Sequence, residues 1–234
     1  MIKRINFKQL KNESYMTLIF LTIQTIVFVL MQTGLFGDPN SPATILRFGG
    51  LFGLQIIEQP STAWHLLTPI FVHIGFSHFL FNSITLYFLG RQTEQIFGHF
   101  NFILIYLGSG IFGNCLSFFA HPEFVSAGAS TSLFGLFASF VALRFFLKDN
   151  VMIKQLAQSY AILIVLNLVF NLMDTTIDMY GHIGGLIGGF LLTIVVGVPH
   201  FQARFKKNHR FAAGAIYLGL IVIILYLTFS KFNV

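Results

Sequence analysis

The chain has 234 residues, of which 55% are hydrophobic and only 9% charged, with 30 Phe and a mean hydropathy of +0.77. That composition excludes an ordinary water-soluble domain and defines an integral membrane protein. One cysteine, Cys115, excludes an internal disulfide and reads as small apolar filler, and the net charge of +6 signals nucleic acid only if the basic residues share one exposed surface.

Runs of about 20 apolar residues give seven candidate spans, at residues 15–34, 77–97, 100–120, 130–147, 155–173, 181–198 and 211–230. Polar "KRINFKQLKNE" precedes the first run and no small-residue cleavage pattern follows it, so that run is expected to stay as the first helix. With the N-terminus inside, 12 of the 14 Lys and Arg fall in inner segments and only Arg47 and Lys231 fall outside. This asymmetry predicts a cytoplasmic N-terminus and an external C-terminus. It also accounts for the basic "RFKKNHR" at 204–210 as a topology signal, and no nucleic-acid partner is expected. The outer segment 35–76 is long enough to hold short helices, and its "TAWHLLTPIFVH" is apolar but too short to span. Trp64 within it suits an anchor at the membrane interface.

Polar groups inside spans are costly and tend to face the bundle interior. Span two opens with His78 and Asn82, four apart and hence on one helical face, with His73 just upstream. Span four opens with Ser130 and span six with "GHIGGLIGG", in which His182, Gly185 and Gly189 share a face. Spans two, four and six all start from the outer side, so these first turns can meet at one depth. Gly185 and Gly189, with Gly135, Ala138 and Ala142 on span four, allow close helix approach. Asn167 and Asn171 on span five read as interhelical glue. Asp178, four residues before His182, reads first as a helix cap and second as a group orienting the imidazole.

Ser130 taken alone reads as a hydroxyl bonded back to its own helix, and "GGLIGG" alone as helix packing. Their joint placement adds a second reading. A histidine beside a serine can take its proton and make it a nucleophile. The backbone N–H of Ser130 at a helix start, the Asn82 amide and the His78 ring are candidate donors to the oxyanion that follows.

With "HIGFSHFLFN", "GASTSLFG" and "GHIGG" in this order, the chain resembles the rhomboid intramembrane serine proteases from about Trp64 to Gly189. The resemblance implies an all-α polytopic membrane bundle with a six-helix core over residues 15–198. It leaves residues 1–14 as a cytoplasmic tail and 199–234 as a basic loop and an appended seventh helix. It implies Ser130 as nucleophile and His182 as general base in a dyad without aspartate, His78 and Asn82 on the oxyanion side, and Gly128 at the substrate-binding glycine two before the nucleophile. Phe134 takes the position where an aromatic ring packs near the histidine. The substrates implied are single-span transmembrane segments in a cell membrane, bacterial by the chain's compact size. No H-E-x-x-H pair or nucleotide-binding glycine motif occurs, so no metal and no cofactor is expected.

Two positions depart from the family pattern. Thr131 stands where glycine usually follows the nucleophile, and His65 follows Trp64 where Arg is common. The second change bears on loop stability, with Glu94 as the candidate partner. The alternative function is a catalytically inactive relative that binds membrane helices without cutting them, against which the presence of both Ser130 and His182 argues. A seven-helix transporter or receptor is weaker, because transporters show inverted repeats and broken mid-membrane helices, whereas the polar residues here gather near one surface.

Overall fold

The computed structural model describes residues 14–174 and 176–232, so all but Ser14 of the expected N-terminal tail lies outside the described residues. They form an all-α polytopic bundle. Five of its helices are long and apolar enough to cross a membrane: α1 (Tyr15–Gln32), α6 (His99–Ala120), α8 (Val151–Met173), α9 (Met179–Val196) and α10 (Lys207–Lys231). The two other expected spans are helical but differ in form. Span four is α7 (Ser130–Phe146), whose 17 residues reach about 26 Å at the helical rise. Span two is α4 (Phe76–Thr85), a π turn at Leu86–Gly90 and α5 (Arg91–Phe97) in unbroken succession.

The outer segment carries α2 (Pro42–Arg47), opened by the Ser41 side chain accepting from Thr44 N, then α3 (Gly53–Glu58) and two 3-10 turns at Pro60–Leu66 and Thr68–Phe71. One element departs from the all-α expectation. Strands β1 (Leu51–Phe52) and β2 (Val125–Ser126) pair antiparallel, Leu51 opposite Ser126. Two residues are too few to print the alternating pattern that marks a strand.

On α1 one stripe, Thr17, Phe20, Gln24, Phe28 and Met31, is buried, while Leu18, Ile26 and Val29 are exposed. A helix buried along one stripe and apolar on the other is one that faces lipid. Gln24 Nε2 donates to Ser83 Oγ at 2.7 Å and so pins α1 to α4. At the start of α1, Glu94 of α5 accepts from Met16 N at 2.9 Å, Thr17 N at 2.8 Å and Thr17 Oγ1 at 2.6 Å, with His99 Nδ1 2.5 Å from the oxygen that accepts from Met16 N. A carboxylate from another helix thus satisfies the orphan N–H groups that every helix start exposes. Glu94 therefore does not serve His65, whose Nδ1 lies 2.6 Å from Gly50 O. Glu94→Ala strands these buried donors, at about 1–3 kcal/mol each, and should lower the midpoint of thermal unfolding in detergent far more than Glu94→Gln, which keeps one accepting oxygen.

The centre is a stack of α6, α7 and α9 made possible by glycine. A methyl on Gly184 would lie 2.8 Å from Gly113 Cα of α6, and one on Gly188 2.7 Å from Phe112 Cβ. On the adjoining face a methyl on Gly185 would lie 2.1 Å from Thr131 O, and one on Gly189 2.3 Å from Gly135 Cα. The "GHIGGLIGG" run thus serves two neighbours at once: Gly185 and Gly189 face α7 as expected, while Gly184 and Gly188 open a second approach to α6. Cys115 is buried on α6, in keeping with a filler role. The appended helix α10 docks on the same unit. Tyr217 Oη donates to Gly108 O at 2.9 Å, and Arg210 Nε donates to Val195 O at 2.7 Å near the end of α9.

Candidate active site

Ser130 is the first residue of α7. Ala129 precedes it as a cap without a side-chain hydrogen bond, so the helix start keeps N–H groups that no capping side chain claims. The approach to Ser130 is braced by the outer segment: Gly128 N donates to Pro69 O at 2.9 Å and Ala129 N to His73 Nε2 at 3.4 Å. The outer segment is itself tied down, with Thr68 Oγ1 donating to Gly49 O at 2.7 Å and Asn114 Nδ2 to Leu66 O at 2.8 Å. Residues 49–73 therefore shape the backbone that presents Ser130.

His182 lies in the first turn of α9, behind the cap that Asp178 makes by accepting from Gly181 N at 2.8 Å. Asp178 is thus a cap and does not hold the imidazole. The ring of His182 stacks on Phe134, with centroids 4.3 Å apart and an angle of 14°. Its Nε2 is 2.8 Å from Ser130 Oγ across the α7–α9 interface. Its Nδ1 is 2.5 Å from the side-chain amide of Asn171 in the last turn of α8. Ser130 is half-buried and His182 is buried.

Gly128 sits at φ +134, and a methyl there would lie 2.6 Å from His78 Cε1 and 2.7 Å from Nε2. Only glycine admits both that backbone angle and the His78 ring beside it. The His78 and His73 rings are 5.3 Å apart, edge to face. Asn82 is buried and donates one amide N–H to His78 O at 2.9 Å, which leaves it a second N–H. Thr131 is buried at the helix interface, its Cγ2 3.0 Å from where a methyl on Gly181 would stand. The bulk of Thr131 is thus absorbed by the glycines of α9.

Two contacts lay beyond sequence reasoning. His73 reads as an upstream neighbour of His78, yet it holds Ala129 N from 56 positions away. Asn171 reads as interhelical glue and does bridge α8 to α9, but its partner is the imidazole of His182. The signal for Asn171 was present, since an amide inside a span is costly without a partner. Its neighbour Asn167 corrects the same expectation: it is exposed and donates to Leu163 O of its own helix at 2.8 Å.

A family model described as "Rhomboid domain" matches residues 60–199. "Rhomboid protease GluP" of Bacillus subtilis is 34% identical over 212 residues, which cover 87% of this chain and 40% of that protein. A second Bacillus subtilis relative, YdcA, is 29% identical over 205 residues, covering 86% of this chain and 99% of its own length. "RHOMBOID-like protein 7" of Arabidopsis thaliana is 33% identical over 172 residues, 72% of this chain and 53% of that protein. The chain belongs to the rhomboid family and is a multi-pass membrane protein. It spans less than two thirds of GluP and of the Arabidopsis protein.

Proposed function

We propose that this chain is an intramembrane serine endopeptidase that cuts transmembrane segments of other membrane proteins with a Ser130–His182 dyad. The observation that carries this reading is the 2.8 Å approach of His182 Nε2 to Ser130 Oγ between two helices that sequence separates by 52 positions. Membership in a family whose matched relatives include proteins named rhomboid proteases supports it.

In this reading His182 Nε2 accepts the Ser130 hydroxyl proton as Oγ forms a bond to the carbonyl carbon of the scissile peptide. The carbonyl oxygen becomes an oxyanion. Donors suited to it are the N–H groups at the start of α7, the free N–H of Asn82 and the His78 ring, each worth about 3 kcal/mol where such donors have been removed. Collapse of the intermediate breaks the C–N bond, and the imidazolium gives its proton to the leaving amine. Water, deprotonated by the same ring, then releases the acyl group from Ser130 and restores the hydroxyl. Gly128 gives the His78 ring and the substrate backbone room at the site.

A substrate helix hides its carbonyls in its own hydrogen bonds, so the preferred segments carry Gly, Ala or Ser and helix-weakening residues near the cut. The placement of 12 of the 14 Lys and Arg supports a cytoplasmic N-terminus, an external C-terminus and entry from the outer side. Residues 15–198 form the proteolytic core and α10 an added brace on it.

The test is cleavage of a single-span reporter helix, co-reconstituted with the full chain in liposomes. The native protein should cut it and Ser130→Ala should not. Equal cutting by Ser130→Ala, or no cutting of any Gly-containing reporter by folded native protein, sinks the proposal and favours a relative that binds helices without hydrolysis.

A further inference from the structure

His182 has two ring nitrogens, and the dyad uses only one of them. The other, Nδ1, meets the amide of Asn171 at 2.5 Å, with Asn171 8% and His182 6% exposed. The acid nearest in sequence does not compete for that nitrogen. Asp178 places one oxygen on Gly181 N, and its Oδ2 is buried without a hydrogen-bond partner among the described residues.

We propose that Asn171 is a positioning residue that decides which nitrogen of His182 carries the proton; this rests on the dyad reading above. A side-chain amide can present either end to the ring. With Nδ2 toward the ring, its N–H donates to Nδ1. The ring proton is then on Nε2, and Ser130 Oγ faces a donor. In that state the serine keeps its proton and the site is at rest. With the amide turned by about 180°, Oδ1 accepts from Nδ1–H, and the Nε2 lone pair is free to accept from Ser130. Oδ1 then continues to hold Nδ1–H while the ring carries both protons. One amide rotation thus separates a resting from an armed dyad, a role filled elsewhere by an aspartate.

The placement of Asn171 gives the bond a further property. Helix α8 is peripheral, with Ile162, Val165, Val169 and Phe170 exposed. A displacement of its last turn away from α9 breaks the contact to Nδ1 without touching Ser130.

The test is the second-order rate of labelling by a fluorophosphonate, measured on the purified full chain. Asn171→Leu keeps the volume and removes the polar group, and Asn171→Asp can only accept. Asn171→Leu should slow labelling by at least about tenfold while leaving the thermal unfolding midpoint in place, and Asn171→Asp should label at close to the native rate. A purely structural contact gives the opposite order, because leucine fills the space and a buried carboxylate disrupts it. Labelling by Asn171→Leu at the native rate, or by Asn171→Asp as slowly as by Asn171→Leu, overturns the positioning role. If native protein labels no faster than Ser130→Ala, the dyad reading fails and this proposal fails with it.

Discussion

His182→Ala is expected to reduce fluorophosphonate labelling of Ser130 by at least about a thousandfold, the scale on which loss of a serine's base acts. A serine hydroxyl at neutral pH is almost wholly protonated, and among the described contacts of Ser130 the nitrogen that can accept that proton, in the tautomer with the Nε2 lone pair free, is His182 Nε2, 2.8 Å away. The residue is buried at 6% exposure. Removing the ring also uncovers the face of Phe134 on which it stacks. The fold should survive, because the Asp178 cap and the glycine contacts of α9 involve other atoms. An unchanged thermal midpoint with labelling lost marks a chemical role. Retained labelling assigns the proton to some other group and refutes the dyad.

Gly185→Ala is expected to cost both stability and activity, by a different route. The added methyl lies 2.1 Å from Thr131 O and 3.0 Å from Thr131 C, which are backbone atoms of α7. No rotamer change relieves a clash with backbone, so α7 and α9 must part. Overpacking of this kind costs about 1–3 kcal/mol. Ser130 adjoins Thr131 and His182 lies one turn before Gly185, so the parting opens the dyad itself. Misplacement of reacting groups by about 1 Å costs on the order of a hundredfold in rate. Gly219→Ala on α10 is the control, because a methyl there meets nothing within 4 Å. Gly185→Ala should therefore lower the unfolding midpoint and labelling together, while Gly219→Ala leaves both unchanged. Native labelling by Gly185→Ala would show that the interface yields without moving the dyad.

Much of this arrangement was legible in the sequence because membrane helices announce themselves by length and apolarity. Even the first residue of α7 falls where the apolar run begins, at Ser130. The meeting of spans four and six followed from glycine spacing, since small residues on one face have little use except close approach. What escaped was of three physical kinds. The π turn at Leu86–Gly90 leaves the apolar pattern intact, so nothing in composition marks it. The β1–β2 ladder depends on two segments whose pairing residues are 75 apart, as Leu51 and Ser126 are. The partners of lone polar groups depend on helix rotation: Asn167 and Asn171 look alike by spacing, yet only the last turn of α8 reaches the imidazole. Glu94 failed as a partner for His65 for a related reason, since a helix start offers a carboxylate more donors than one ring does.

The order in which these parts occur along the chain sets a timetable for synthesis. Pro69 and His73, which brace the backbone before Ser130, leave the ribosome ahead of it, whereas Asn171 and His182 follow. The 52 positions from Ser130 to His182 take about 3–10 s to translate at ordinary elongation rates. Throughout that interval the growing chain carries Ser130 without His182. On the dyad reading, hydrolytic competence arrives only with α9, the ninth of the ten helices in chain order, so the half-built protein lacks a complete dyad.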